Sequence, residues 1–326
     1  MTAFGPIGSD YSGRSRGLLR ADLHVHSRHS GPGHLRRAGA RAGVGDPLAI
    51  YHAARGRGMG FVTLTDLDTI EGCQRLRDRL PDAADIIVSE EVTTRDPRTG
   101  RFYHVLVWDL TEPQHMEIAA LRDDMRDLAG FVRQEGIVAG LGAGPGDSGA
   151  DIWSDPGGLA VLALFDRVEV KSGAHGRRHN EVAARLAQAR GGRMLGLTGG
   201  SCAHGPARVG RTCTVARAAD PRGFMEELRA GRTWVAGEDG GVWALTRDLS
   251  RSLALGYRER PGTLLSLPID LLQAPLRHGL RHARQAVHVR RAGRQLDHQD
   301  VVGFQERART YGPGVSTRGR HAADGT

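Results

Sequence analysis

The chain reads as an α/β protein built on a mostly parallel sheet or barrel. Three observations predict this: short β-prone runs recur between residues 20 and 240, helically periodic stretches separate several of them, and the chemically capable side chains gather where the strand patterns end. The β-prone runs are "ADLHVHS", "GFVTLTD", "DIIVSEEVT", "FYHVLVWDL", "GIVAGLGA", "RVEVKSG", "MLGLTGG" and "GRTCTVA". Helical spacing marks "DPLAIYHAARGRG", "EPQHMEIAALRDDMRDLAGFVRQEG" and "RRHNEVAARLAQARGG".

In the first run, alternate residues of a strand share a face, so His24 and His26 can offer both imidazoles to one ion while Val25 turns away. The second run ends at Asp66. In "TDLDTIEG", Asp68 with Glu71 three residues later reads as the cap of the next helix, which leaves Asp66 to orient a ligand imidazole or a water. Glu90 and Glu91 lie in the third run, His104 in the fourth, and Cys202 and His204 follow "LTGGS". In α/β barrels such strand ends form the active face. Ser201, Cys202 and His204 lack an orienting third group for nucleophilic catalysis, so Cys202 reads as a metal ligand or as an inert replacement. "GAGPGDSG" lacks the lysine and spacing of a phosphate-cradling loop.

The sequence of 326 residues suits one large domain with an appendage. We divide it into a polar leader (1–19), a hydrolase-like domain (20–245) and a basic, poorly ordered tail (246–326), in which Pro268 and Pro275 limit any amphipathic helix to the part after "QAPL". No run of about 18 apolar residues is present, and the start lacks the apolar core of a signal peptide, so a cytoplasmic location is expected. The three cysteines show no CxxC spacing, which leaves any metal mainly to His and carboxylate. The net charge of +8 is compatible with nucleic acid or an anionic surface, but no nucleic-acid motif accompanies it.

Taken in order, "LHVHSRHS", "VTLTDLDTIEG", "SEEVTT", "YHVLVW" and "GLTGGSCAHG" resemble the motifs of the polymerase and histidinol phosphatase (PHP) family of metal-dependent phosphoesterases, over residues 20 to 235. The resemblance implies a distorted (β/α)7 TIM-like barrel with zinc or manganese at its strand ends. By position it makes His24, His26, Glu91, His104 and His204 metal ligands and puts Asp66 at the site. Three positions depart from the pattern: Leu67 and Gly144 replace ligand histidines, and Cys202 replaces a ligand aspartate.

The ligand set therefore predicts one ion rather than a full cluster, unless His29 or His34 compensates, with Cys202 favouring zinc. The activity implied is hydrolysis of a phosphorylated small molecule by a metal-bound hydroxide. Lys171, the single lysine of the sequence, and Arg211 are candidates to replace the missing positive charge against the substrate. The alternative is a catalytically degenerate PHP domain that binds or regulates.

Overall fold

The computed structural model describes residues 17–31, 43–143, 160–189 and 195–241. Most of the leader, His34, Gly144 and the tail lie outside the described residues. The strands are β1 (Leu19–Ala21), β2 (Val62–Leu64), β3 (Ile86–Arg95), β4 (Phe102–Trp108), β5 (Val138–Leu141), β6 (Arg167–Ser172), β7 (Gly196–Gly200), β8 (Thr212–Ala216) and β9 (Thr233–Gly237). The helices are α1 (Pro47–Gly56), α2 (Glu71–Arg79), α3 (Glu112–Leu121), α4 (Met125–Gln134), α5 (Arg177–Ala189) and α6 (Pro221–Arg229).

Two sheets result: a curled six-stranded half-barrel, β2-β3-β4-β5-β6-β7, and a three-stranded sheet, β1-β8-β9. Parallel pairing holds for β2/β3, β5/β6 and β6/β7. The expectation of a mostly parallel sheet fails at β4, which runs against both β3 and β5. The cause is local. Asp96 accepts from Arg98 N and Thr99 Oγ1 at 3.2 and 2.9 Å, and Gly100 takes φ +70°, so the chain reverses at once. A parallel return would need a crossover of a dozen or more residues. The three-stranded sheet is antiparallel throughout.

Beyond β1, the histidine segment joins both ends of the half-barrel. Val25 O accepts from Thr65 N at 2.8 Å, just past β2, and His26 N donates to Ala203 O at 2.8 Å, just past β7. Residues distant in sequence therefore meet around one short run.

The helices begin where the sequence supplies caps. Asp46 accepts from Leu48 N at 2.9 Å ahead of α1, and Thr111 with Gln114 forms a capping box at α3. The single helical stretch expected over 112–136 is two helices, because Asp124 caps Arg126 N at 2.8 Å and starts α4 afresh. Asp68 is not the cap of α2. Its carboxylate accepts from Thr93 N at 2.7 Å and faces Arg122, while Thr69 Oγ1 serves the amide of Glu71.

Under the sheets, Trp108 is fully buried and donates Nε1–H to Leu23 O at 3.0 Å, while Phe61 and Phe224 meet edge to face at 5.0 Å. Arg167, buried on β6, donates to the carbonyls of Leu228 and Arg229 and so satisfies the C-terminus of α6.

Candidate metal centre

The histidine segment is extended and wedged between β2 and β7, so His24 and His26 turn the same way. Their Nε2 atoms stand 3.1 Å apart, with both residues buried. Glu91 Oε2 lies 3.5 Å from His24 Nε2 and 3.4 Å from His26 Nε2. Its other oxygen meets His104 Nδ1 at 2.9 Å. His204 stacks on His26, with ring centres 5.0 Å apart and planes 13° from parallel. Gly200 brings β7 against His24 so closely that any side chain there would run into it.

Cys202 completes the group. The donor atoms of His24, His26 and Cys202 all lie within 4.8 Å of one another, a constellation able to hold a metal ion. Donors about 2.0–2.2 Å from a tetrahedral ion stand about 3.3–3.6 Å apart, which is close to the separations among His24, His26 and Glu91. The residues present thus fit a divalent ion. Cys202 also holds a left-handed backbone, φ +47°, that L residues avoid.

The charges are strongly coupled. Burial pushes the Cys202 thiol up, but the His24 imidazole and hydrogen bonds from His204, His24 and His26 hold it well below the usual thiol range. Burial opposes a charged His24, yet Cys202, Glu169 and Glu91 hold its pKa well above the ordinary imidazole value. Glu91 is held well below the carboxylate range because His104 and His24 outweigh its burial. His104 is raised, its burial overcome by Glu91.

Other residues singled out from the sequence fall elsewhere. Asp66 meets the residue after His26 rather than an imidazole: it accepts from Ser27 N at 2.5 Å and Ser27 Oγ at 2.6 Å. Burial raises its pKa against those bonds. Lys171 pairs with Asp239 at 2.8 Å, after a register shift in β6 between Glu169 and Lys171. Arg211 grips Glu238 at 3.1 Å on the surface. His29 faces Glu71 at 3.3 Å. Leu67 is buried and bridges Glu91 through the backbone.

Residues 177–233 match a family profile, PHP_C, described as PHP-associated. Over that stretch the chain is similar to PHP-associated segments. No curated protein matches it. Among solved structures the chain is similar to one from Bifidobacterium adolescentis assigned as a metal-dependent phosphoesterase, at 16% identity over 67% of this chain and 96% of that one, with TM-score 0.40. An amidohydrolase from Chromobacterium violaceum, with bound sulfate and no metal, is 17% identical over 67% of this chain and 97% of that one, with TM-score 0.44. PsfC from Pseudomonas syringae is 15% identical over 76% of this chain and 100% of that one, with TM-score 0.45.

One residue beside this cluster escapes the sequence reading. Glu169, buried on β6, places Oε1 3.0 Å from His24 Nδ1 and accepts from Ala143 N at 3.1 Å through Oε2. Burial raises its pKa while His24 opposes. Its signal is faint: in "RVEVKS" the polar residues alternate with valine, as they would on a strand with one face in solvent.

Proposed function

We propose that this protein is a PHP-type, metal-dependent hydrolase of a phosphate ester, with one zinc ion held by His24, His26 and Cys202. The observation that carries the reading is the convergence of two buried imidazole nitrogens, 3.1 Å apart, beside a thiol favoured as thiolate. Three protein donors is the number that catalytic zinc sites use, and a thiolate favours zinc over manganese. A divalent ion at this place supplies Lewis-acid polarisation of a phosphoryl oxygen and brings the pKa of water toward neutrality.

The chain's own residues do the rest. Glu91, kept ionised by its imidazole neighbours, sets a negative charge beside His24 and His26 that favours a bound cation. His204 fixes the plane of the His26 ring by stacking, and Asp66 holds the backbone after it through Ser27. His104, on the far oxygen of Glu91, marks the remnant of a second ion position. We assign Lys171 and Arg211 to the phosphoryl oxygens of the substrate, exchanging Asp239 and Glu238 for them on binding. The reading places this activity in residues 20–245, as a distorted (β/α)7 barrel acting on a phosphorylated small molecule in the cytoplasm.

The full chain with added Zn²⁺ or Mn²⁺ and p-nitrophenyl phosphate tests the reading. Metal-dependent turnover that vanishes in His26→Ala supports it; absence of both bound metal and turnover overturns it. Leu67 favours a second reading, a noncatalytic PHP domain, because a buried leucine stands where the family pattern has a ligand imidazole. Under that reading the parent is inert, and Leu67→His, Gly144→His and Cys202→Asp together create activity.

A further inference from the structure

We propose that Glu169 is a positioning residue of the metal centre, whose carboxylate selects the His24 tautomer that points a lone pair at His26. The proposal rests on the zinc reading above and adds a residue that reading does not need.

A neutral imidazole carries one proton on either nitrogen, and its partners decide which. An ionised carboxylate only accepts. The His24 ring also faces Cys202, and its Nε2 lies 3.5 Å from Glu91 Oε2. Glu169 Oε1 is nearer to Nδ1, at 3.0 Å, so in the neutral ring Nδ1 holds the proton as donor and Nε2 keeps the lone pair. That Nε2 is the atom 3.1 Å from His26 Nε2. The carboxylate is itself fixed, because Oε2 takes the amide of Ala143 at 3.1 Å and Glu169 is 1% exposed. Both oxygens are thus committed, one to the site and one to the end of β5.

Among the described residues no carboxylate is bonded to His26 Nδ1. That nitrogen meets Ser30 Oγ at 3.4 Å, a hydroxyl that donates or accepts equally well. The asymmetry makes His24 the pre-set donor of the pair. Partners of this kind, behind a ligand histidine, commonly contribute about 10–100-fold in metal affinity.

Glu169→Gln keeps the size but removes the symmetry. Its single carbonyl oxygen can serve His24 or Ala143, and its NH2 then confronts the other donor. Two measurements on the full chain test the inference: zinc affinity by competition with a chromophoric chelator, and ¹⁵N NMR of His24 in metal-free protein at alkaline pH, where the ring is neutral. The parent is expected to show Nδ1–H at His24, and Glu169→Gln a mixed tautomer with zinc bound about 10–100-fold more weakly. Glu169→Asp, which keeps the carboxylate, should recover part of both.

A parent whose neutral His24 carries its proton on Nε2 overturns the inference without any variant having to fold. So does a Glu169→Gln protein that matches the parent in tautomer and in affinity. Failure of the zinc reading has a different signature, a parent that binds no zinc while its His24 tautomer is still set by Glu169.

Discussion

Glu90 and Glu91 stand side by side on β3, pointing to opposite faces of the strand. Toward α3, Glu90 takes His115 Nδ1 on both oxygens at 2.9 Å. Toward the histidine segment, Glu91 meets His24, His26 and His104. Burial raises the pKa of Glu90 despite His115, whereas His104 and His24 overcome burial and hold Glu91 well below its ordinary range. A carboxylate with one imidazole clips a helix to a sheet. A carboxylate among three, with a thiol near two of them, gathers the donors that a cation needs.

The largest effect expected from this contrast comes from removing an imidazole on each face. His26→Ala should abolish zinc retention and metal-dependent hydrolysis. His115→Ala should leave both intact and lower stability by about 1–3 kcal/mol in urea unfolding, since Glu90 loses its partner while buried. Loss of zinc in His115→Ala would break the comparison.

Cys202→Gly is next. Glycine suits the left-handed backbone at φ +47°, so the fold should persist with unchanged or higher melting temperature. Zinc affinity should nonetheless fall by more than about tenfold, as one of three donors is lost. Equal affinity in a chelator competition would remove Cys202 from the site.

Asp22 sharpens the contrast from a third direction, because its buried carboxylate has amide donors and no imidazole. It accepts from Gly210 N at 2.6 Å, Ser201 N at 2.8 Å and His24 N at 3.4 Å. Burial outweighs these bonds and pushes its pKa from 3.8 to about 6. The folded state therefore holds the proton more tightly than the unfolded chain. Its contribution to stability is fully present below the unfolded value and is lost as pH rises through about 6, by up to about 3 kcal/mol. Between pH 4 and 7 the parent should lose stability relative to Asp22→Asn. Parallel pH curves for the two proteins would show that Asp22 does not titrate in this way.

The smallest effects concern the substrate. Lys171→Ala and Arg211→Ala should each raise KM a few-fold with zinc content unchanged, as about 1 kcal/mol per exposed or half-exposed charge implies. Unchanged KM in both would leave them in their ion pairs with Asp239 and Glu238 alone.

The proximity of the candidate ligands was legible where they end strand patterns. His24, His26, Glu91, His104, Cys202 and His204 all appear in runs whose period and order mark them, and the structure brings them together around one short segment. Glu169 was not legible, since a glutamate between two valines looks like the wet face of a strand until burial on both sides is known. The partner of Lys171 was hidden for a related reason: the register shift beside Glu169 accompanies its pairing with Asp239. The direction of β4 and the break before α4 depended on turn and cap contacts of Asp96 and Asp124, which periodicity does not weigh.

Metal analysis of the purified full chain by mass spectrometry, beside His26→Ala, tests the central claim most directly. The account predicts close to one zinc per chain in the parent and almost none in the variant. A parent that carries no divalent metal, and takes up none from micromolar zinc, would contradict it.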